Sequence, residues 1–207
     1  MRYLLVGNGP APDIEAAAEQ ADVIVQINRC IHADRLPAER TRYIFLVNTD
    51  VNLSARVVDE LYAARDSFKN VSIVRARNPT LYTFKKLLLI AQGKGRWRNF
   101  RLSPAWKRLR KLWPVQKVSL VSSFILEVEM SSRGMPLDFQ PSTGLIAYRW
   151  LRARLKPGDS LDIAGFTFEG WDRHPWRIER QLVHPIYGEA DLSRADEDGA
   201  GGRSAAA

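Results

Sequence analysis

Three short segments of the chain hold groups that can do chemistry, and the first is a turn with two glycines. It comprises Gly7, Asn8 and Gly9, and it lies between an apolar run and an alanine-rich stretch. Glycine has no side chain to block the approach of backbone amides to a phosphate or a ribose. A plain tight turn, in which Asn8 bonds its own backbone, is the simpler interpretation. The turn lacks the third glycine of the dinucleotide-binding fingerprint, and no Walker sequence occurs.

The second segment is Pro141-Ser142-Thr143-Gly144, which comes directly before an apolar run with helical character. The hydroxyls and free amides of Ser142, Thr143 and Gly144 would then lie at the positive end of a helix, where an anion binds well. Ser142 or Thr143 would serve equally as an ordinary N-cap. The two interpretations are compatible, because one terminus can be capped without ligand and occupied with it.

The third segment contains His174, which is expected in a loop beyond a strand that ends at Gly165. A histidine in such a place can act as a general base near neutral pH, although most loop histidines only make surface hydrogen bonds. Glu179 follows on a predicted helix that begins near Pro175. His32 and His184 are interpreted as structural. The acidic run 196–198 lies in the tail and is interpreted as solvated, so no metal site is predicted.

The elements that must position these groups alternate between strand and helix. Apolar runs predict strands at 2–6, 23–27, 43–47, 71–74 and 160–164, and helical spacing predicts helices at 12–20, 54–68, 80–92 and 141–155. The apolar run 120–130 fits either type. The alternation predicts a Rossmann-like α/β fold, with a mainly parallel sheet, helices on both faces and ligands at the carboxyl ends of the strands.

Length and composition favour one soluble domain. The chain has 207 residues, with 45% hydrophobic and 26% charged residues, which is the balance of a folded protein. We predict a domain over 1–187 and a disordered, low-complexity tail over 188–207. Cys30 is the only cysteine, which excludes an internal disulfide and a zinc cage of cysteines. The apolar runs are too short to span a membrane, and the beginning of the chain lacks the pattern of a signal peptide, so we expect a cytoplasmic protein.

The net charge of +8 comes from one segment, 85–117. It holds 11 of the 31 basic residues and no acidic residue, which leaves 20 basic and 23 acidic residues elsewhere. Its tryptophans are Trp97, Trp106 and Trp113. Such a segment can bind phosphates, anionic lipid headgroups or acidic sugars, and its glycines and prolines predict a loop with at most one short helix.

In their order along the chain, these pieces resemble the sialyltransferases of glycosyltransferase family 29. Those enzymes carry Val-Gly-Asn followed by Arg-x-Asn, then Pro-Ser-Ser/Thr-Gly with a later Gly-Phe, then His and Glu separated by four residues. The matching blocks here are Val6-Gly7-Asn8, Ile27-Asn28-Arg29, Pro141-Ser142-Thr143-Gly144, Ala164-Gly165-Phe166, and His174 with Glu179. The first turn also looks like that of the bacterial family 42 enzymes, where Asn48 matches a nucleotide-contacting asparagine. The segment 165–180 is similar to small bacterial members, some of which are labelled urease operon accessory protein.

The resemblance implies a GT-A-like variant of the predicted fold and transfer of a sialic acid-like sugar from a CMP-activated donor. The acceptor would be a hydroxyl of a glycan or glycolipid, and the reaction would invert the anomeric centre without a metal. Asn8, Asn28 and Asn48 would hold ribose and cytosine, Ser142 and Thr143 would assist departure of the phosphate, and Gly7, Gly9, Gly144 and Gly165 would complete the nucleotide site. His174 would take the acceptor proton, and Glu179 would mainly orient local structure.

Two other classes of function remain open from the sequence. A non-catalytic nucleotide-binding accessory protein would keep the same motifs without turnover. A nucleic-acid-binding protein would use segment 85–117 and show affinity that falls steeply with salt, but it leaves the ordered motifs unexplained. In the transferase interpretation the basic segment would lie near the mouth of the site, where it would hold an acidic glycolipid or contact the inner membrane peripherally.

Overall fold

A computed structural model describes residues 1–49, 51–94, 104–170 and 172–183. Six parallel strands form one sheet in the order β5-β4-β3-β2-β1-β6. Their bounds are β1 Arg2–Val6, β2 Val23–Ile27, β3 Thr41–Leu46, β4 Ser72–Arg75, β5 Val115–Lys117 and β6 Ser160–Ala164. The predicted Rossmann-like α/β fold is therefore confirmed.

The order of the strands fixes where a ligand site can form. The chain builds β1 to β5 in one direction and then returns to place β6 against the free side of β1. The direction of winding thus changes between β1 and β6, and the loops that follow these two strands diverge there. In open α/β sheets, ligands bind in the crevice at such a switch point, beyond the carboxyl ends of the strands.

Seven α-helices occur within the described residues, six of them between strands and the last one after β6. They are α1 Ile14–Gln20, α2 Val51–Ala63, α3 Pro79–Ala91, α4 Trp106–Leu109, α5 Leu120–Ser132, α6 Thr143–Arg152 and α7 Trp176–Val183. Short 3₁₀ turns occupy Ala33–Arg35 and Arg65–Ser67.

Local sequence signals explain where several helices begin. Asn78 caps α3 by accepting hydrogen bonds from two amides of the first turn, and Pro79 occupies the first helical position, where no amide donor is needed. Ser119 caps α5 through the amide of Ser122, at 3.0 Å. The run 120–130, which fitted either type from the sequence, is thus helical: it begins at a capped N-terminus and pairs with no strand.

The core lies on both faces of the sheet, because alternate residues of each buried strand point to opposite sides. On one face, strand residues such as Leu5 and Phe45 pack against α5, α6 and α7. On the other face, Leu4 packs with α1 and Ile44 with α2. Helices therefore cover both faces, as the alternation of elements predicts.

The structure departs from the sequence predictions at a few boundaries. Helix α2 begins at Val51, three residues before the predicted start, and α6 ends at Arg152 rather than near 155. Segment 85–117 contains the predicted short helix, α4, and also a strand that was not predicted, β5. The predicted tail 188–207, together with His184 and the central part of the basic segment at 95–103, lies outside the described residues. No helix among the described residues is both long and apolar enough to cross a membrane.

Candidate functional site

A cavity of about 330 Å³ lies at the switch point, beyond the carboxyl ends of β1, β2 and β6. It brings together nine of the eleven residues predicted for the site. These are Gly7, Asn8, Gly9, Asn28, Ser142, Thr143, Gly144, Gly165 and His174. Residues from four distant parts of the chain thus share one cavity, because the parallel sheet aligns the ends of its strands.

The glycine turn after β1 is fixed by close contact with the end of β6. The amide of Gly7 donates to the carbonyl of Ala164, and the amide of Gly9 donates to the carbonyl of Gly165, both at 2.8 Å. A Cβ on Gly7 would lie 2.0 Å from the Gly165 carbonyl oxygen, which leaves no room for a side chain. The glycines are therefore needed for the approach of two protein segments, and these two amides are already used by the protein.

Asn8 is the group of this turn that lies ready for a ligand. Its side chain lines the cavity, and its Oδ1 atom is buried with no hydrogen-bond partner among the described residues. A buried amide oxygen without a partner costs about 1–3 kcal/mol, which a ligand donor would recover. The turn itself is held from behind by His32, whose Nε2 lies 2.8 Å from the Gly9 carbonyl oxygen. His32 therefore supports the turn, in keeping with its interpretation as a structural residue.

Asn28 and Asn48 differ in their surroundings, although each follows a strand. Asn28 adopts a φ of +49°, its Oδ1 accepts from the Val47 amide at 2.8 Å, and it lines the cavity. Asn48 is 1% exposed and lies outside the cavity lining. It exchanges two hydrogen bonds with the backbone of Arg77, at 2.8 and 3.1 Å. The predicted nucleotide contact of Asn48 is not supported, because both polar atoms of its amide join β3 to β4.

The start of α6 is held by a buried carboxylate. Glu179 of α7 is 1% exposed, and its two oxygens accept from the Ser142 amide at 2.7 Å and from the Ser142 hydroxyl at 2.5 Å. Ser142 Oγ in turn accepts from the Leu145 amide at 3.1 Å, which makes Ser142 the N-cap of α6. The Ser142 hydroxyl proton therefore already has an acceptor, and Glu179 positions the terminus from outside the cavity lining.

Two backbone amides at this terminus remain for a ligand. Thr143 and Gly144 are the first two residues of α6, and both line the cavity. Their amides donate no hydrogen bond to any described residue. Unpaired amides at the first turn, together with the positive end of the helix dipole, attract an anionic oxygen. This terminus is the part of the cavity that fits a phosphate.

Arg77 is a buried cation that the sequence interpretation missed. Its guanidinium donates to the Pro141 carbonyl oxygen, and burial lowers its pKa, while Glu127 and Glu179 oppose that shift. Burial also raises the pKa of Glu179 to about 7, although the hydrogen bonds from Ser142 and the charge of Arg77 oppose the rise. Arg77 thus fixes the segment before α6 and provides the nearby positive charge for Glu179.

His174 is held in one tautomer by the backbone. Its Nδ1 lies 2.7 Å from the Gln140 carbonyl oxygen, which only accepts, so the ring proton sits on Nδ1. Burial lowers the pKa of His174 to about 4; the Gln140 bond opposes this shift and Arg77 adds to it. At neutral pH the ring is uncharged, and its Nε2 carries a lone pair suited to accept a proton.

Several further residues of the cavity wall were not predicted as site residues. Phe166, Thr167, Phe168 and Glu169 come directly after Gly165, in the loop that follows β6. Trp176 begins α7, and its ring meets the His174 ring edge to face at 4.9 Å between centroids. These residues reach the cavity because β6 lies beside β1. The sequence does not reveal this strand order, so they could not be predicted as site residues. A Cβ on Gly144 would lie 2.4 Å from Phe166 Cε1, so Gly144 is needed for ring packing.

A smaller cavity of about 150 Å³ lies between α3, α5 and α6. Its wall is mainly apolar and contains no glycine turn, and it shares no lining residue with the first cavity. We therefore place the candidate site in the larger cavity, which has the unpaired amides, Asn8 and His174.

No family model matches the chain, and no curated protein is significantly similar to it. In the part of the chain that the structure describes, no three or more His, Cys, Asp or Glu side chains are grouped so as to hold a metal ion. The geometry of the cavity is thus the basis for assigning a function.

Proposed function

We propose that this protein is an inverting glycosyltransferase that transfers a sialic acid-like sugar from a CMP-activated donor to an acceptor hydroxyl. The observation that carries the proposal is the shared cavity at the β1/β6 switch point, which holds a helix N-terminus with two unpaired amides, an unpaired buried amide oxygen and a neutral histidine. The ordered motifs that resemble families 29 and 42 supply the choice of donor.

The start of α6 would hold the phosphate of the donor. The amides of Thr143 and Gly144 and the Thr143 hydroxyl would donate to its oxygens, and the helix dipole favours the negative charge that develops as CMP departs. Because Ser142 is bonded to Glu179, its part would be to fix the direction of these amides rather than to contact the phosphate. Asn8 and Asn28 would bind the ribose or the cytosine, which offer both donors and acceptors.

His174 would act as the general base. The acceptor oxygen forms a bond to the anomeric carbon on the face opposite the phosphate, while the bond from that carbon to the phosphate oxygen breaks and its electron pair leaves with CMP. The proton of the acceptor hydroxyl passes to His174 Nε2. A pKa of about 4 describes the site without ligand. A bound phosphate would raise it toward neutrality, since a nearby negative charge favours the protonated ring.

The cavity is of a size found in small-molecule sites. Its volume of about 330 Å³ lies in the range of about 300–1,000 Å³ that is usual for small-molecule sites, and its wall includes aromatic side chains of Phe166, Phe168 and Trp176. The acceptor, a glycan or glycolipid, would approach from the open side of the cavity. No step needs a metal, because the helix terminus and donor side chains would stabilise the leaving group.

A nucleotide-binding accessory protein without turnover is the second candidate. The observation that favours it is the low pKa of His174, which makes the ring a weak base unless ligand charge raises its pKa. This candidate shares the CMP site and differs in the chemical step. A binding measurement and a turnover measurement together separate the two.

The first experiment is calorimetry with CMP, AMP and UMP on the wild type, Asn8→Ala and the control Asn70→Ala. Asn70 is exposed, lies before β4 and is outside the cavity lining, so its loss should leave binding unchanged. We expect the wild type to prefer CMP and Asn8→Ala to bind it about tenfold more weakly, as expected for one lost hydrogen bond. Failure to bind any nucleotide, or equal binding of all three, would refute the CMP-sugar assignment.

The chemical step is tested by release of CMP from CMP-activated sialic acid. Turnover that His174→Ala abolishes, with CMP affinity retained, is expected for the transferase. CMP binding without release of CMP by the wild type, in the presence of a mixture of glycans and glycolipids, would favour the accessory protein.

A further inference from the structure

Helices α3 and α5 present large apolar side chains outward. Eight of them are between 39% and 66% exposed. They define the α3–α5 face: Phe84, Leu87, Leu88, Leu120, Val121, Phe124, Ile125 and Val128. Single exposed apolar residues are common on protein surfaces, but a group of this size on two helices is not.

The pattern within α5 shows that the exposure is systematic. Leu126 and Met130 point to the core, four residues apart. Val121, Phe124 and Val128 recur at three- and four-residue spacing on the opposite side. A helix that has apolar residues on its outer side as well as on its core side normally has that outer side covered too. The outer side of α5 therefore has the character of a covered surface.

The two helices form one surface because they lie side by side. Lys85 of α3 and Glu127 of α5 form an ion pair at 2.6 Å, with the Lys85 side chain 8% exposed. This pair marks the seam between the helices. Phe84 and Leu88 flank Lys85 along α3, and Phe124 and Val128 flank Glu127 along α5. The apolar side chains thus continue from one helix to the next.

The charges around the α3–α5 face are positive. Helix α3 contains no Asp or Glu, and the two carboxylates of α5 pair inward, Glu127 with Lys85 and Glu129 with Arg149 at 2.6 Å. Exposed cations stand at the two ends of α5, Lys117 before it and Arg133 after it. Anionic lipid headgroups complement such a rim, whereas a second copy would bring like charges together across a twofold axis.

We infer that the α3–α5 face docks on the surface of an anionic lipid bilayer. The two helices would lie in the plane of the interface, with their apolar side chains among the upper acyl chains and the rim cations at the headgroups. This inference stands independently of the proposed transferase activity. The end of α3 and the rim cation Lys117 both belong to the basic segment 85–117, so the inference assigns a function to these parts of the segment.

The test is sedimentation of the full chain with vesicles of phosphatidylcholine alone and of phosphatidylcholine mixed with phosphatidylglycerol. We expect the wild type to bind the anionic vesicles and Phe124→Glu/Val128→Glu to remain in solution. Both side chains are exposed, so the double variant should keep the wild-type circular dichroism spectrum. Ile31→Glu is the matched control, since it places a carboxylate on an exposed isoleucine outside the face and should bind as the wild type does.

Charge is tested separately with Lys117→Gln/Arg133→Gln. Each cation near an anionic surface contributes a factor of about five in binding, so loss of the pair should weaken binding about 25-fold, and less at high salt. Wild-type protein that stays in solution with both vesicles would overturn the inference. A wild-type dimer that the double glutamate variant converts to a monomer would overturn it as well, because a second copy would then cover the face.

Discussion

Replacing Ser142 with alanine tests how the start of α6 is held. The side chain makes two hydrogen bonds, one accepted from the Leu145 amide at 3.1 Å and one donated to Glu179 at 2.5 Å. Loss of an N-cap costs about 1 kcal/mol, and loss of a hydrogen bond to a buried carboxylate costs about 1.5–3 kcal/mol. We therefore expect Ser142→Ala to lower the free energy of unfolding by about 2.5–4 kcal/mol when Glu179 is ionised.

The cost should depend on pH because the pKa of Glu179 is about 7. At about pH 5 the carboxyl is protonated, and the lost bond is one between neutral groups, worth about 1 kcal/mol. The total cost should then fall to about 2 kcal/mol at that pH. Urea denaturation of wild type and variant at about pH 5 and about pH 9 measures both values.

Ser119→Ala is the matched control for the cap. Ser119 caps α5 through the Ser122 amide at 3.0 Å, but it is exposed and its hydroxyl contacts Ser122 rather than a carboxylate. Its loss should cost about 1 kcal/mol at either pH. Equal costs for the two alanine variants, or a Ser142→Ala cost that does not change with pH, would refute the assigned role of Glu179.

Three further predictions concern packing, a buried amide and titration. Gly7→Ala should cost more than about 3 kcal/mol, because its Cβ would overlap the Gly165 carbonyl, whereas Gly93→Ala, which meets no atom, should cost about 1 kcal/mol for its φ of +78°. Asn48→Ala should cost about 2–5 kcal/mol by leaving the Arg77 backbone unpaired, with CMP affinity unchanged in the folded fraction. Glu179→Gln should make stability rise by about 3 kcal/mol between pH 4 and 6.5, since the titration of Glu179 then no longer opposes the lowered pKa of His174 in that range.

The sign of the titration prediction follows from the two shifts. The raised pKa of Glu179 contributes stability that is complete below its ordinary value of 4.5 and is lost as pH rises to about 7. The lowered pKa of His174 contributes stability that is lost as pH falls from 6.5 to about 4. The two oppose each other in the wild type.

Urea denaturation checks the stability predictions, and calorimetry checks CMP affinity. A flat pH dependence in Glu179→Gln would contradict the buried state of His174. Equal costs at Gly7 and Gly93 would show that the β1 turn has more room than the structure gives it. Weaker CMP binding by Asn48→Ala at unchanged stability would return Asn48 to the nucleotide site.

Much of the fold was predictable because its signals are local. Apolar runs such as Val23–Ile27 suit strands buried on both faces, and Ser142 before an apolar run marks a helix start wherever it stands in a protein. Gly7 and Gly144 were likewise singled out from the sequence, because a glycine next to a predicted strand end or helix start allows close approach of another group. Such signals depend only on residues a few positions away, so they can be recognised without knowing how the rest of the chain folds.

Only tertiary structure separated residues of the same type. Asn8 and Asn48 each follow a strand, yet one lines the cavity and the other joins two backbones. Strand β5 is three residues long and exists because β4 pairs with it. Arg77 gained its role from Pro141, 64 residues away. These outcomes depend on contacts between segments that are far apart in the chain. The local sequence does not indicate which segments will meet, because the order of the strands in the sheet decides it.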